Sequence, residues 1–269
     1  MSLTRADVLL VRSGLARSRT EAQRLIEAGQ VVACAPPDQT KMGQPQPLKP
    51  STRLSESVSF KLLGNPERYA SRGALKLRHA LTQFDIDVSN KVCLDAGQST
   101  GGFTDCLLRA NAQAVVGIDV GHGQLSANLR NDARVICIER MNLRDATLAN
   151  VGEAIAARCA IEAIAYEDGF NLICVDLSFI SVRKVIPALA GMLARQGDMV
   201  VLVKPQFELG PGAVNKHGVV RNPNAEQLLR HQFADQQRAP DGLTQCAWTA
   251  SPITGGDGNQ EYLIQLKTT

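Results

Sequence analysis

Apolar and polar positions change their period near residue 71. Before it, apolar residues recur at helical spacing in two short stretches, 4–13 and 18–29. Val8, Leu9 and Val11 supply one apolar face, and Ala22, Leu25 and Ile26 the other. Gly14 and Gly29 stop these helices, and Ser18 with Glu21 three residues on has the pattern of a capping box. Val31-Val32 and residues 58–62 read as short strands. Between them, residues 34–52 are rich in Pro, Gln and Lys and read as a long exposed loop; 64–70 read as a linker. Beyond 71, runs rich in Val, Ile, Leu and Cys at 91–95, 114–119, 134–138, 171–176 and 199–203 alternate with segments long enough for crossover helices. Such runs suit a parallel sheet covered on both faces. Two further strands, at 246–248 and 262–266, are linked through 255–259, too short a link for a helix, so the last strand runs antiparallel. The pattern predicts a Rossmann-like α/β domain over 71–269 with an antiparallel last strand, preceded by a small α+β domain over 1–63.

Charge divides along the same line. The chain of 269 residues has a formal net charge of +3, yet residues 1–78 alone hold 13 basic and 6 acidic side chains. The small domain is therefore a basic module, which points to nucleic acid as a partner. The seven cysteines include no C-x-x-C pair, and Cys93, Cys137 and Cys174 fall inside apolar strands. This predicts free thiols in a reducing cytoplasm, with no disulfide partner and no metal site. No apolar run approaches the roughly 18 residues of a membrane span, and the first residues lack a secretory apolar core.

The segment Val92 to Phe103 carries the first chemical signal. It reads as an apolar strand, a glycine-rich turn and a helix start, a geometry that brings backbone N–H groups close to a ligand. Gly97, Ser99, Thr100, Gly101, Gly102 and Phe103 line this turn in expectation. Its spacing is not the G-x-G-x-x-G of a dinucleotide site, and Asp95 stands where a pyrophosphate would be repelled. A carboxylate there can hold an ammonium group, which fits S-adenosylmethionine. Asp119, 24 residues later at the end of the second strand, suits the adenosine ribose, and Asn142 after the third strand faces the adenine in expectation. Asp176 ends the fourth strand, Lys204 the fifth, and Glu261 begins the last. If that strand is antiparallel, these three groups converge at one sheet edge. His122, between two glycines beside Asp119, reads equally well as a cofactor contact and as a loop residue.

These segments resemble the TlyA-like RNA ribose 2′-O-methyltransferases, often labelled hemolysins. The resemblance covers nearly the whole chain. It rests on Gly14-Leu15-Ala16-Arg17-Ser18-Arg19, on Tyr69-Ala70-Ser71-Arg72-Gly73-Ala74-Leu75-Lys76-Leu77, and on Leu94-Asp95-Ala96-Gly97. It rests also on Asp176-Leu177-Ser178-Phe179-Ile180-Ser181, Val203-Lys204-Pro205-Gln206-Phe207-Glu208 and Gly258-Asn259-Gln260-Glu261. It implies a small ribosomal-protein-type RNA-binding domain fused to an FtsJ-like methyltransferase domain. It also implies a catalytic set of Lys76, Asp176, Lys204 and Glu261, of which Lys76 comes from the resemblance alone. Three departures stand out: Cys34-Ala35-Pro36-Pro37-Asp38 replaces a tight Asn-Gly or Asp-Gly turn, Ala74 follows Gly73, and His122 stands where Tyr or Thr is common.

The resemblance implies a reaction that transfers a methyl group from S-adenosylmethionine to a ribose 2′-hydroxyl of rRNA, on cytidine in one or both subunits. A ribose hydroxyl is a weak nucleophile, so the site must position it and take its proton. Lys204 is the expected base, held by Asp176, with Lys76 and Glu261 positioning the hydroxyl and the second lysine. Arg5, Arg12, Arg17, Ser18, Arg19 and Arg24 of the basic module, with Arg72, are the expected RNA contacts. The competing readings are a ribosome assembly factor without catalysis, a pseudouridine synthase and a membrane-active hemolysin. The four catalytic positions oppose the first, the glycine turn and strand-end lysine the second, and the missing membrane segment the third.

Overall fold

The computed structural model describes residues 3–16, 18–27, 30–34, 48–62, 69–158, 168–234 and 242–268. The chain forms two compact units, Met1–Arg68 and Tyr69–Thr269. The first unit starts with a short strand β1 (Leu3–Arg5), then helices α1 (Ala6–Arg12) and α2 (Arg19–Glu27) and strands β2 (Val31–Cys34), β3 (Arg53–Ser55) and β4 (Ser59–Leu62). Strand β1 pairs antiparallel with β3, and β2 with β4. The first helix therefore starts two residues later than its apolar period predicts: Leu3–Arg5 find ladder partners in 53–55 instead. These three-residue strands carry no alternation long enough to be read locally. Ala6, Leu10, Ala22, Ile26 and Val31 form the core of this unit. The Ser18 hydroxyl accepts the Glu21 N–H at 3.2 Å, so the predicted cap is made. Most of the predicted 34–52 loop and the linker, together with Arg17, Gly29 and Cys159, lies outside the described residues.

The second unit runs α3 (Gly73–Gln83), β5 (Val92–Ala96), α4 (Gly102–Arg109), β6 (Ala114–Asp119), α5 (Ala127–Arg130), β7 (Val135–Glu139), α6 (Leu148–Ala156) and β8 (Phe170–Val175). It continues with α7 (Ile186–Ala190), β9 (Leu193–Val203), α8 (Pro205–Glu208), α9 (Ala225–Ala234), β10 (Leu243–Ala250) and β11 (Tyr262–Thr268). Seven strands form one sheet in the order β10-β11-β9-β8-β5-β6-β7. Strands β5 to β9 are mutually parallel, and β11 is antiparallel to both β9 and β10. Strand order reverses at β5, whose neighbours are β6 and β8, and in open α/β sheets ligands bind where such a reversal parts the loops.

Alternation along the buried strands fills two cores. Leu94, Ile173, Val201 and Ile264 face one layer, which α6, α7 and α9 cover through Val151, Leu189 and Leu229. Cys93, Cys174, Leu202 and Leu263 face the other, covered by Leu77 of α3 and Leu107 of α4. Burial pushes the Cys93 thiol up to about 12, so it acts as a packing group. Several elements differ from the sequence reading, β10 among them, which runs past both ends of the expected 246–248. Strand β9 begins at Leu193, because a register shift between Phe170 and Leu172 absorbs extra residues. The segment after β6 holds only the four-residue α5, Ala127–Arg130, in place of a longer crossover helix. No described helix is long and apolar enough to cross a membrane.

Candidate active site

The site lies at the carboxyl edge of the parallel strands. A cavity of about 150 Å³ is lined by Ser71, Lys76, Asp95, Gln98, Phe103 and Asp176, together with the glycine turn. The turn after β5 is tight for a steric reason. Gly97 sits at φ +93, and a Cβ there would lie 2.3 Å from the Asp176 carbonyl oxygen. A Cβ on Gly102 would lie 2.1 Å from Ser71 Oγ. Glycine therefore lets the β8 loop and the start of α3 close against this turn.

Asp95 is buried within β5, one residue before the strand's end. Its Oδ2 accepts the Thr104 N–H at 2.9 Å and the Thr104 hydroxyl at 2.7 Å. Its Oδ1 has no hydrogen-bond partner among the described residues, and Asp95 is one of the residues that line the cavity. Burial pushes its carboxyl up to about 7, against the Thr104 hydrogen bonds, with the Asp176 charge adding to the rise. An orphaned carboxylate oxygen in a cleft fits a cationic group. Gln98 donates to Thr104 Oγ1 at 3.0 Å, so the Thr104 hydroxyl is left to donate to Asp95.

Two lysine–carboxylate pairs border this cavity. Lys76, one turn into α3, pairs with Glu261, which immediately precedes β11; both are buried. Lys204, at the end of β9, lies 2.7 Å from Asp176 Oδ1 and donates to Ser178 Oγ at 3.0 Å. Antiparallel β11 is what returns Glu261 to the edge where the parallel strands end. Phe179 follows Ser178 with φ +68 and stands 91% exposed, its ring 5.5 Å from that of Phe207.

The structure does not bring every expected residue to the cavity. Asp119 Oδ2 accepts the Ser99 N–H at 2.8 Å and Oδ1 the Gly121 N–H at 2.7 Å, so its carboxylate ties two turns together. The Asn142 side chain accepts the Arg144 N–H and forms a local turn. Neither lines the cavity, and His122 is exposed in its loop. In the small unit, Arg5 and Arg19 pair with Asp7, which is fully buried and also accepts from Gln23. These donors hold the Asp7 carboxyl far below the usual range, the Arg5 hydrogen bond being the largest cause. Arg12 pairs with Glu56 at the surface, and Ser18 and Arg24 are exposed. Arg72 reaches the Thr254 carbonyl at 3.4 Å. Sequence reasoning missed Ser71, Gln98 and Thr104. Each lies inside a quoted or adjoining motif, yet no spacing rule singles it out.

A seven-stranded sheet with this order, a glycine turn beside a buried acid with one unpartnered oxygen, and two lysine–carboxylate pairs defines a methyltransferase-type α/β domain. The FtsJ-like methyltransferase family profile matches residues 69–268, and the S4 domain profile matches residues 4–32. The chain belongs to the FtsJ-like methyltransferases, in the TlyA-like branch that carries an S4 domain. It is 44% identical over 266 residues to the 16S/23S rRNA (cytidine-2′-O)-methyltransferase TlyA of Mycobacterium tuberculosis, covering 98% of this chain and 90% of the relative. It is 35% identical to Hemolysin A of Brachyspira hyodysenteriae, covering 97% and 99%. A solved structure of a hemolysin-named protein from Streptococcus thermophilus matches with TM-score 0.68 and 34% identity, covering 100% of this chain and 90% of that one.

Proposed function

We propose that this protein transfers a methyl group from S-adenosylmethionine to a ribose 2′-hydroxyl of rRNA, on cytidine, in the cytoplasm where ribosomal subunits are found. The observation that carries the reading is the juxtaposition at one sheet edge of the orphaned Asp95 oxygen with the Lys204–Asp176 and Lys76–Glu261 pairs. Asp95 Oδ1 would hold the cofactor's ammonium group, and the 97–102 turn would pack along its body. S-adenosylmethionine, when bound, supplies an electrophilic methyl on a sulfonium sulfur.

The chain's own residues supply the rest. Lys204, entering the step as the free amine, takes the proton from the 2′-hydroxyl onto Nζ as the ribose oxygen forms its bond to the methyl carbon and that carbon's bond to sulfur breaks, leaving a neutral thioether. Asp176 then holds the resulting ammonium, and Ser178 fixes its direction. Lys76, steadied by Glu261, aligns the attacking oxygen for in-line displacement. Phe179 offers an aromatic face to an unstacked base beside this cluster. In the S4 unit Arg12 and Arg24 are exposed to meet phosphate, and Asp7 presets the direction of Arg5 and Arg19.

A labelled-methyl assay tests this reading. Purified protein, tritiated S-adenosylmethionine and unmodified ribosomal subunits are combined, with Lys204→Ala as the control. Label should enter RNA as an alkali-resistant 2′-O-methyl nucleotide with the wild type. Lys204→Ala should lose it by about 100-fold or more while binding cofactor with unchanged affinity. Near-normal turnover by Lys204→Ala would remove Lys204 as the base. No transfer by a cofactor-binding wild type would favour the role of a non-catalytic assembly factor.

A further inference from the structure

Glu208 is a buried carboxylate that the proposed chemistry does not use. It lies in α8, four residues after Lys204, and is 6% exposed. All its described partners come from one segment of the neighbouring β8 loop. Oε2 accepts the Ser181 hydroxyl at 2.6 Å and Arg183 Nε at 3.4 Å, and Oε1 accepts the Val182 N–H at 2.8 Å. The same loop carries Asp176 and Ser178 at its other end, and both are held there by Lys204. Residues 176–183 are thus tied at both ends to the turn that follows β9.

A second observation shows that this segment is held against its own preference. Phe179, midway between the two ties, has φ +68 and an exposed ring. Burial of Phe179 itself cannot impose that conformation. An L-residue with a bulky side chain stays in the left-handed region only when its surroundings over-determine it. The two ties act on both sides of Phe179, beside the contact of its ring with Phe207, and Glu208 provides one of them through two well-formed hydrogen bonds and a longer charged contact.

We infer that Glu208 is a positioning residue: it clamps 176–183 so that Asp176 and Ser178 meet Lys204 in a fixed geometry. The inference rests on the reading that Lys204 and Asp176 act on the RNA hydroxyl. Small misplacements of such groups cost rate rather than affinity. A charged acceptor suits the task because it can satisfy a hydroxyl, a backbone N–H and a guanidinium at once.

The test compares Glu208→Ala, Glu208→Gln and Ser181→Ala in the full chain. Single-turnover methyl transfer at saturating RNA and S-adenosylmethionine should fall by about 10- to 100-fold in Glu208→Ala, with cofactor Kd unchanged. Glu208→Gln keeps an oxygen for the Val182 N–H and should recover most of the rate. Glu208→Ala should add little further rate reduction on an Asp176→Asn background, because both act through one cluster. Amide hydrogen exchange of 176–183 should rise in Glu208→Ala whether or not RNA is methylated. Wild-type rate in folded Glu208→Ala, a defect confined to cofactor affinity, or unchanged exchange in 176–183 would overturn the inference. If Glu208→Ala does not fold, Glu208→Gln and Ser181→Ala decide: a slower rate in Ser181→Ala with near-normal melting supports the clamp, and full activity in both overturns it. A wild type that transfers no methyl defeats the functional reading instead, and the exchange measurement still decides the clamp.

Discussion

Asp95 shows how one buried group can link binding to pH. Its carboxyl is pushed from an ordinary 3.8 up to about 7, first by burial and then by the Asp176 charge. Below about pH 7 the ligand-free site therefore carries a neutral acid. An incoming ammonium favours the carboxylate, so binding should release a proton and cofactor affinity should rise with pH, levelling above about 7. Titration calorimetry at pH 6 in buffers of different ionisation enthalpy reads that proton directly. Asp95→Asn should bind weakly and without pH dependence; a sloping profile in that variant would assign the linkage to another group. The same shift has a sign for stability. The folded state binds the extra proton, so the contribution of Asp95 is complete below about pH 4 and is lost as pH rises through about 7. Thermal melts of ligand-free protein should show this decline in wild type and a smaller one in Asp95→Asn.

At the scale of elements, the β5–α4 turn works by close approach. Gly97 has both a left-handed backbone and a backbone oxygen where a Cβ would go, whereas Gly123 has φ +68 and open space. Gly97→Ala should cost about 2–4 kcal/mol in melting experiments and weaken cofactor binding; Gly123→Ala should cost about 1 kcal/mol. Equal costs would mean that the close approach to Asp176 is not what demands glycine. The antiparallel β11 is the other decisive element. It carries Glu261 back to the edge where Lys76 waits, a meeting between residues at opposite ends of the methyltransferase unit. Its direction was legible because 255–259 is too short for a crossover. The paired partner of Glu261 was not, because Lys76 precedes the first strand of the sheet.

For the whole molecule, the proposed function assigns recognition of RNA to the basic S4 unit and chemistry to the methyltransferase unit. The surface pair Arg12–Glu56 is exposed on both sides and worth little to stability, so Arg12 is available for phosphate. The double variant Arg12→Glu and Arg24→Glu should therefore keep the wild-type melting temperature and cofactor Kd. Its RNA affinity should fall, and the slope of log affinity against log salt should flatten by about 1 for each phosphate that is no longer neutralised. An unchanged slope would show that neither arginine meets the backbone.

Strand runs of Val, Ile, Leu and Cys, the glycine turn and the basic first 78 residues determined the sheet, its direction of closure and the two-part organisation. Each is a local signal: periodicity, turn chemistry and charge act over a few neighbouring residues. Tertiary structure alone decided which polar groups share the site. Asp119 and Asn142 stand at strand ends like Asp176 and Lys204, yet one ties two turns and the other makes its own turn. The three-residue strands β1 and β3 exist only because partners about 50 residues apart meet. Asp7 looked like an ordinary helix-start acid, and only packing made it the buried anchor of Arg5 and Arg19. Side-chain type and spacing say what a residue can do; burial and the direction of its neighbours' donors select what it does, and those arise only when distant segments meet.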